Sequence, residues 1–172
     1  MNNYLGDALH TDLYQINMGY AYFKDGIHER KSYFDVYFRK IPFGGGYAVF
    51  AGLAKIIDYV NSFRFTESDI NFLRQLGYEE DYLNYLSGMK FTGNIRSVKE
   101  GEIVFGNEPL LRIEAPLIQA QIMETAILNV VNYQIFKRST SKMIIHYKEL
   151  LIPSLNIQPD VDEQKYQHSA PL

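Results

Sequence analysis

The sequence predicts an α+β fold, in which helices accompany a small sheet of mixed or antiparallel strands. Three observations over the 172 residues support this prediction. Apolar residues recur at helical spacing in the first half of the chain and again after Pro116, and residues 31–40 alternate between two faces as in a strand. Short apolar runs divided by turn residues follow Gly93. A chain of this length usually forms one domain, or one domain with a small second piece.

Several helices are predicted, and their starts have local causes. Thr11 is a good N-cap, Thr66 with Asp69 is a relative of the capping box, and Pro116 suits the first turn of a long helix. The predicted helices run from Thr11 to about Phe23, Ala48 to Phe63, Thr66 to about Leu76, Asp81 to Leu86, and Pro116 through Tyr133.

The predicted strand over residues 31–40 has two unlike faces. Phe34, Val36 and Phe38 make one face apolar, which predicts that it packs in the core. The other face is mixed, which predicts a border with solvent, a cleft or a partner. Its members are Tyr33, Asp35, Tyr37 and Arg39.

The composition excludes several classes of function. A net charge of −3 and a pI near 5.8 argue against a nucleic-acid partner, which would select a basic face. The absence of cysteine excludes disulfides, thiolate nucleophiles and zinc–thiolate sites. No apolar stretch approaches the ~20 residues of a membrane helix, and the first twelve residues lack the pattern of a signal peptide. We therefore expect a cytoplasmic protein with no membrane partner.

The residues alone leave each candidate site open. Gly44-Gly45-Gly46 offers backbone amides to a phosphate just before a predicted helix, but a tight turn is the better interpretation because the Walker and dinucleotide patterns are missing. Arg39 and Lys40 suit either phosphate oxygens or a solvated strand end. Tyr14 suits either stacking on a planar aromatic acid or a place in the core.

The other polar residues predict no further site. None of the four histidines has the helical spacing to another that a metal site uses, and no hydrolytic triad is recognisable. Asp58 and Glu124 lie in apolar helical surroundings, and we assign them no role.

Several separated motifs resemble nicotinate phosphoribosyltransferase in their order and spacing. They are Thr11-Asp12-Leu13-Tyr14-Gln15, Phe38-Arg39-Lys40 with Pro42-Phe43-Gly44-Gly45, Ala51-Gly52-Leu53, Glu100-Gly101 with Phe105 and Glu108-Pro109-Leu110-Leu111, Leu117 to Gln121, Glu124-Thr125 and Asn132-Tyr133-Gln134. The resemblance covers about four fifths of the chain. It implies that residues 1–134 are the N-terminal α/β domain of a type II phosphoribosyltransferase, including the long helix that leads to its barrel.

The resemblance also implies a reaction and two site residues. In this family nicotinate displaces pyrophosphate from phosphoribosyl pyrophosphate, and the nicotinate mononucleotide formed enters NAD salvage. The enzymes act as ligases with coupled ATP hydrolysis and with Mg²⁺, and they are homodimers whose sites use both subunits. By this resemblance Tyr14 packs against nicotinate in the neighbouring subunit, and Arg39 contacts phosphoribosyl pyrophosphate across the same interface.

The sequence departs from the family pattern after about Gln134. The motifs of the family's catalytic barrel, with the histidine that ATP phosphorylates, are not recognisable, so we expect no catalytic residue, metal ligand or ATP motif in this chain. Residues 135–172 are interpreted as a divergent tail produced by a frameshift, with its last fifteen or so residues disordered. We expect a chain that is inactive alone. The alternatives are a non-catalytic dimerisation or regulatory module, and the remnant of a disrupted gene.

Overall fold

The computed structural model describes residues 8–41 and 46–155. Its elements are α1 (Leu13–Lys24), β1 (Lys31–Val36), β2 (Ala48–Val49), α2 (Leu53–Ser62), α3 (Glu67–Gln75), α4 (Glu80–Ser87), β3 (Asn94–Ser97), β4 (Ile103–Val104), β5 (Leu111–Pro116) and α5 (Leu117–Leu155). The described residues contain helices and short strands without a closed barrel, which confirms the predicted α+β class.

The strands form two small antiparallel sheets. In the larger one β5 lies between β1 and β3, so that Phe34 of β1 and Ile95 of β3 both lie opposite Ile113. In the smaller one β2 pairs with β4, and Ala48 lies opposite Val104. Of the two arrangements predicted, the antiparallel one is therefore observed.

The chain forms two compact units, Met1–Ser139 and Thr140–Leu172. The first unit has one hydrophobic core, which joins the inner face of the larger sheet, the buried faces of the short helices and the first part of α5. Of the second unit the structure describes residues 140–155, which are helical. The predicted disordered tail lies largely outside the described residues, and α5 is continuous across residue 134.

Helix α3 begins as the sequence predicts. Thr66 Oγ1 accepts a hydrogen bond from the backbone N–H of Asp69 at 3.3 Å, and the backbone N–H of Thr66 donates to Asp69 Oδ2 at 2.7 Å. These reciprocal bonds form a capping box, which satisfies two backbone donors that the helix itself leaves unpaired.

The N-cap of α1 is Asp12, so the prediction of Thr11 is wrong by one residue. The carboxylate of Asp12 does not cap the helix. Its Oδ2 instead accepts a hydrogen bond from Thr125 Oγ1 of α5 at 3.0 Å. A contact distant in sequence therefore decides how this side chain is used.

The predicted helix from Ala48 to Phe63 is also wrong at its start, because Ala48 and Val49 form β2 and α2 begins at Leu53. Gly52 separates the two elements with a φ of 110°, a conformation that glycine adopts without a steric cost. Strand β1 ends at Val36 and not at Lys40 as predicted. Pro116, which is predicted in the first turn of the long helix, is the last residue of β5, and α5 runs from Leu117 to Leu155.

Candidate functional site

Tyr14 lies on the open side of α1. Its side chain is 52% exposed, whereas Gln15, Ile16 and Gly19 form the buried side of this helix. At about 100° per residue, the three buried residues lie about 100° to 200° around the helix from Tyr14, so Tyr14 points away from the buried side. The interpretation of Tyr14 as a core aromatic does not hold, and its ring is open to a ligand or a partner.

The hydroxyl of Tyr14 is held by a partly buried polar network between α1 and α5, in which the two glutamines are buried. Gln15 Nε2 donates to the Tyr14 hydroxyl oxygen at 2.8 Å and to Glu124 Oε2 at 3.2 Å. Gln121 Nε2 donates to Gln15 Oε1, and it also lies 3.3 Å from Glu124 Oε2. Tyr22 completes the network, because its hydroxyl donates to Gln121 Oε1 at 3.3 Å.

The surroundings of Tyr14 change its acidity. Desolvation raises the pKa of the hydroxyl, and the negative charges of Glu124 and Asp12 raise it further. The hydrogen bond from Gln15 has the opposite, smaller effect on this pKa. Tyr14 therefore keeps its proton at neutral pH and can donate it to a hydrogen-bond acceptor.

Arg39 lies just beyond the end of β1, on an exposed segment held to the second half of the domain. The carbonyl of its neighbour Phe38 accepts a hydrogen bond from the backbone N–H of Asn107 at 2.7 Å. The side chain of Arg39 has no hydrogen bond or ion pair with the residues that the structure describes, so within this part of the chain its guanidinium donors are available to a ligand.

Arg39 and Glu124 line the same cavity, which has a volume of about 250 Å³. It lies between β1 and α5, and most of its wall is apolar. Its lining residues are Phe34, Asp35, Val36, Tyr37, Arg39, Ile113, Ala120, Glu124, Ile127 and Leu128. Glu124 thus connects the two predicted site residues, since it lines the cavity of Arg39 and is hydrogen-bonded to the glutamine that holds Tyr14.

Asp35, at the rim of this cavity, is already engaged. Arg112 donates to its carboxylate through Nε at 2.6 Å and through Nη2 at 2.7 Å, a forked arrangement. This pair lowers the pKa of the Asp35 carboxyl. Asp35 is therefore not the counter-ion of Arg39.

The sequence predicts that the glycine run directly precedes a helix, and this prediction is wrong. Gly44 and Gly45 lie outside the described residues, and β2 separates Gly46 from α2. The first amides of α2 are occupied: Gly52 N–H and Leu53 N–H donate to the Glu100 carboxylate at 3.1 Å and 2.9 Å. Phosphate binding at this helix N-terminus would have to displace a charge-assisted cap.

Metal and membrane sites have no support in the described ranges. Among the side chains that the structure describes, in residues 8–41 and 46–140, no three histidine, aspartate or glutamate side chains converge to hold a metal ion. In the same part of the chain no helix combines the length and the apolar character that crossing a bilayer requires.

Glu124, Gln15 and Gln121 are the site residues that sequence reasoning missed. One signal was present, namely that Gln121 and Glu124 lie one turn apart on the predicted apolar stripe of the long helix. Polar residues in such a stripe need buried partners. The partner, Gln15, lies 106 residues away from Gln121, and the sequence pattern does not reveal this pairing.

The described α+β fold, with helices around a small antiparallel sheet and no closed barrel, is that of the N-terminal domain of a phosphoribosyltransferase. Residues 9–132 match the model of the family described as the nicotinate phosphoribosyltransferase (NAPRTase) N-terminal domain. The chain belongs to the nicotinate phosphoribosyltransferase family, which confirms the resemblance seen in the sequence.

Individual relatives give the extent of the likeness. The chain is 59% identical over 128 residues to nicotinate phosphoribosyltransferase of Bacillus subtilis, covering 74% of this chain and 26% of that protein. It is 46% identical over 135 residues to the Caenorhabditis elegans nicotinate phosphoribosyltransferase, covering 75% and 24% of the two chains. The crystal structure of human nicotinic acid phosphoribosyltransferase matches with a TM-score of 0.66 and 31% identity, over 70% of this chain and 25% of that chain. The chain thus spans about a quarter of the length of these relatives.

Proposed function

We propose that this chain contributes Tyr14 and Arg39 to a nicotinate phosphoribosyltransferase site that a second subunit completes. In the proposed reaction nicotinate and phosphoribosyl pyrophosphate give nicotinate mononucleotide and pyrophosphate, a step of NAD salvage, coupled to ATP hydrolysis. The observation that carries the proposal is the exposure of Tyr14, 52%, in a chain of this family.

The proposed role of Tyr14 follows from its ring and its hydroxyl. The flat face of an exposed tyrosine packs against a planar pyridine ring, and aromatic pairs gain ~0.5–1.5 kcal/mol beyond the area they bury. The network of Gln15 and Glu124 restricts the ring before the ligand arrives, which reduces the entropy lost on binding.

The proposed role of Arg39 is to bind phosphate oxygens of phosphoribosyl pyrophosphate. A guanidinium offers forked donors that match a phosphate, and the leaving pyrophosphate gains negative charge as the ribosyl bond breaks. Arg39 is exposed and without an ion pair in the described chain, so binding does not first have to break an internal contact.

Mg²⁺ and ATP belong to the proposal through the family, and this chain's described residues do not fit the metal. Because no three acidic or histidine side chains converge among the described side chains of residues 8–41 and 46–140, we assign no ligand to Mg²⁺ and derive no step through it. The phosphorylated histidine of the family is likewise expected from a barrel and not from this chain. We therefore propose that the chain is inactive alone, acts in a dimer and works in the cytoplasm.

Complementation tests this proposal. The chain is mixed with the part of the Bacillus subtilis relative that lies beyond its match to this chain, together with nicotinate, phosphoribosyl pyrophosphate and Mg-ATP. We expect nicotinate mononucleotide from the mixture and none from either chain alone. In the mixture Tyr14→Ala should raise KM for nicotinate about ten-fold, and Arg39→Ala should raise KM for phosphoribosyl pyrophosphate.

Tyr33→Ala is the matched control, because Tyr33 is a tyrosine of similar exposure, 59%, on the sheet. It should leave both KM values unchanged. Equal kinetics for the Tyr14→Ala and wild-type mixtures would refute the role of Tyr14. A chain that forms product without its partner would refute the proposed inactivity.

A non-catalytic interaction module is the second candidate. Three large apolar side chains of α1 are exposed, namely Leu13 at 56%, Tyr14 at 52% and Met18 at 38%. Such a group favours contact with another protein surface. If the chain binds a full-length relative without contributing activity, and Met18→Glu abolishes that binding, the module is the better description.

The tail requires a separate proposal and a separate test. The family match ends at residue 132, and we propose that residues 135–172 diverge through a frameshift. Translation of the coding DNA in its other two frames decides this. A downstream frame that encodes barrel sequence supports the frameshift, and its absence from both frames rejects it.

A further inference from the structure

Glu124 is partly buried and is hydrogen-bonded to the residue that holds Tyr14. Its Oε2 accepts a hydrogen bond from Gln15 Nε2 at 3.2 Å, and the same nitrogen donates to the Tyr14 hydroxyl oxygen at 2.8 Å. The Gln15 side chain is completely buried, so water does not replace either partner. An amide nitrogen carries two N–H groups, and both acceptors can therefore be served at once.

The Gln15 amide has one orientation that suits its neighbours. Its Oε1 accepts from Gln121 Nε2, while its Nε2 faces the carboxylate of Glu124. If the amide were rotated by 180°, its oxygen would face the carboxylate oxygen, and two acceptors would meet without a proton between them. The carboxylate oxygen of Glu124 therefore determines which end of Gln15 faces Tyr14.

This orientation has two consequences for Tyr14. The ring is restrained through its hydroxyl, whereas an exposed side chain otherwise changes rotamer within picoseconds to nanoseconds. In addition, Tyr14 is the acceptor in its bond with Gln15, so its own proton remains available for an acceptor on a ligand.

We infer that Glu124 is a positioning residue that acts through Gln15 to fix the ring of Tyr14 and to keep its hydroxyl proton free for a ligand. The inference rests on the proposed function only for the identity of the ligand, nicotinate. The restraint of the ring is a property of this chain alone, and it is measured without substrate.

The first test is NMR of the full chain with ¹³C-labelled tyrosine, in which Tyr14→Phe assigns the Tyr14 signals. We expect one χ1 rotamer for Tyr14 in the wild type and an order parameter near that of a rigid residue, about 0.85. Glu124→Gln keeps the shape of the side chain, but its amide can face either end of Gln15, so the orientation of Gln15 is no longer fixed and the order parameter should fall below about 0.6. Asp12→Asn is the matched control, because it removes another carboxylate near Tyr14 that has no bond to Gln15, and it should leave the order parameter unchanged.

If Glu124→Gln does not fold, Glu124→Asp replaces it, because it keeps the charge and withdraws it from Gln15 by one methylene. It should also loosen the ring. An order parameter for Tyr14 that is unchanged in a folded Glu124 variant overturns the inference.

The second test separates this inference from the proposed function. In the complementation mixture Glu124→Gln should raise KM for nicotinate about three-fold with kcat unchanged, since a looser ring loses entropy on binding. A loosened ring in mixtures that never form product would leave the positioning role intact and reject the proposed function. Product formation by the wild-type mixture, together with a ring that stays fixed in Glu124→Gln, would support the proposed function and reject the positioning role.

Discussion

Tyr14 and Glu124 show at the residue scale how a partly buried carboxylate influences an exposed side chain. Tyr14 is open to solvent over half its surface, yet its hydroxyl is bonded to a glutamine that is completely buried. The glutamine in turn is held by Glu124, a residue to which the sequence alone assigns no role. The motif around Tyr14 identifies the exposed ring, but its support depends on a contact between α1 and α5 that is distant in the sequence.

The acidity of Tyr14 gives the first prediction. Desolvation, then the charge of Glu124 and then that of Asp12 raise the pKa of the hydroxyl. Removing the negative charge in Glu124→Gln should therefore lower this pKa, and Asp12→Asn should lower it by less. The ¹³Cζ shift of Tyr14, followed between about pH 8 and 12, measures the change.

The control for this titration is Tyr20, whose pKa is raised first by its hydrogen bond to Glu79 and not by Glu124 or Asp12. The pKa of Tyr20 should be the same in the wild type and in both variants. A Tyr14 pKa that rises in Glu124→Gln would contradict the assigned effect of the charge.

At the scale of elements, the sequence identifies those structures that local interactions determine. The capping box of α3 and the end of α1 near Asp25 are examples, because their partners lie within a few residues. Strand β2 is the counter-example. Ala48 and Val49 become a strand because they pair with Val104 and Ile103, more than fifty positions away, and their local pattern resembles the start of a helix.

The close approach of α1, α4 and α5 gives the second prediction. A methyl group at Gly19 would lie 2.8 Å from the Tyr82 hydroxyl and 3.2 Å from Ile118. That hydroxyl is buried and donates to the carbonyl of Ile16 at 3.0 Å, so it cannot move without losing its bond. Gly19→Ala should lower the free energy of unfolding by about 1–2 kcal/mol, since overpacking exceeds the gain in helix propensity.

Gly88→Ala is the control for Gly19→Ala. Its methyl group would meet nothing closer than 3.8 Å, and the backbone there has an ordinary φ of −90°. We expect no loss of stability, or a gain of about 0.4–1 kcal/mol from a less flexible unfolded chain. Urea unfolding of both variants makes the comparison, and equal destabilisation of the two would show that the contacts of Gly19 are not tight.

The pairing of β1 with β5 gives the third prediction, which concerns pH. Asp35 lies opposite Arg112, and this pair lowers the pKa of the Asp35 carboxyl in the folded chain. A carboxyl with a depressed folded pKa stabilises the fold above its unfolded pKa of about 3.9, and this contribution is lost as the pH falls through the folded value. Because the side chains are 34% and 50% exposed, the contribution at neutral pH should stay below about 1 kcal/mol.

The expected result is that Asp35→Asn is less stable than the wild type at pH 7 and that the difference shrinks below about pH 4. Denaturant unfolding at a series of pH values measures it. The same substitution in an Arg112→Gln background should show a smaller dependence on pH, because the pair is already broken there. A difference between wild type and Asp35→Asn that grows on acidification would contradict the assigned pair.

For the whole molecule, the sequence predicts the family and the class of fold, but it does not indicate the boundary between the two compact units. The family motifs lie between Thr11 and Gln134, and the family match of residues 9–132 agrees with them. The first compact unit nevertheless extends to Ser139, because α5 continues and Ser139 Oγ accepts a hydrogen bond from the backbone N–H of Val49 at 3.2 Å. A helix that crosses the end of a sequence motif gives no local signal of the structural boundary.

The extent of the first unit leads to the last prediction. Every buried apolar side chain that the structure describes lies at or before Ile135, and the unit that contains them ends at Ser139. A chain of residues 1–139 should therefore keep a single cooperative urea transition, with a free energy of unfolding within about 1 kcal/mol of the full chain. A chain of residues 1–125 should not fold, because it loses the buried Ile127, Val131 and Ile135, and each large core side chain is worth about 2–5 kcal/mol. Loss of the cooperative transition in residues 1–139 would show that the residues beyond Ser139 are needed for the core. A folded chain of residues 1–125 would show that the part of α5 after Thr125 is not needed for it.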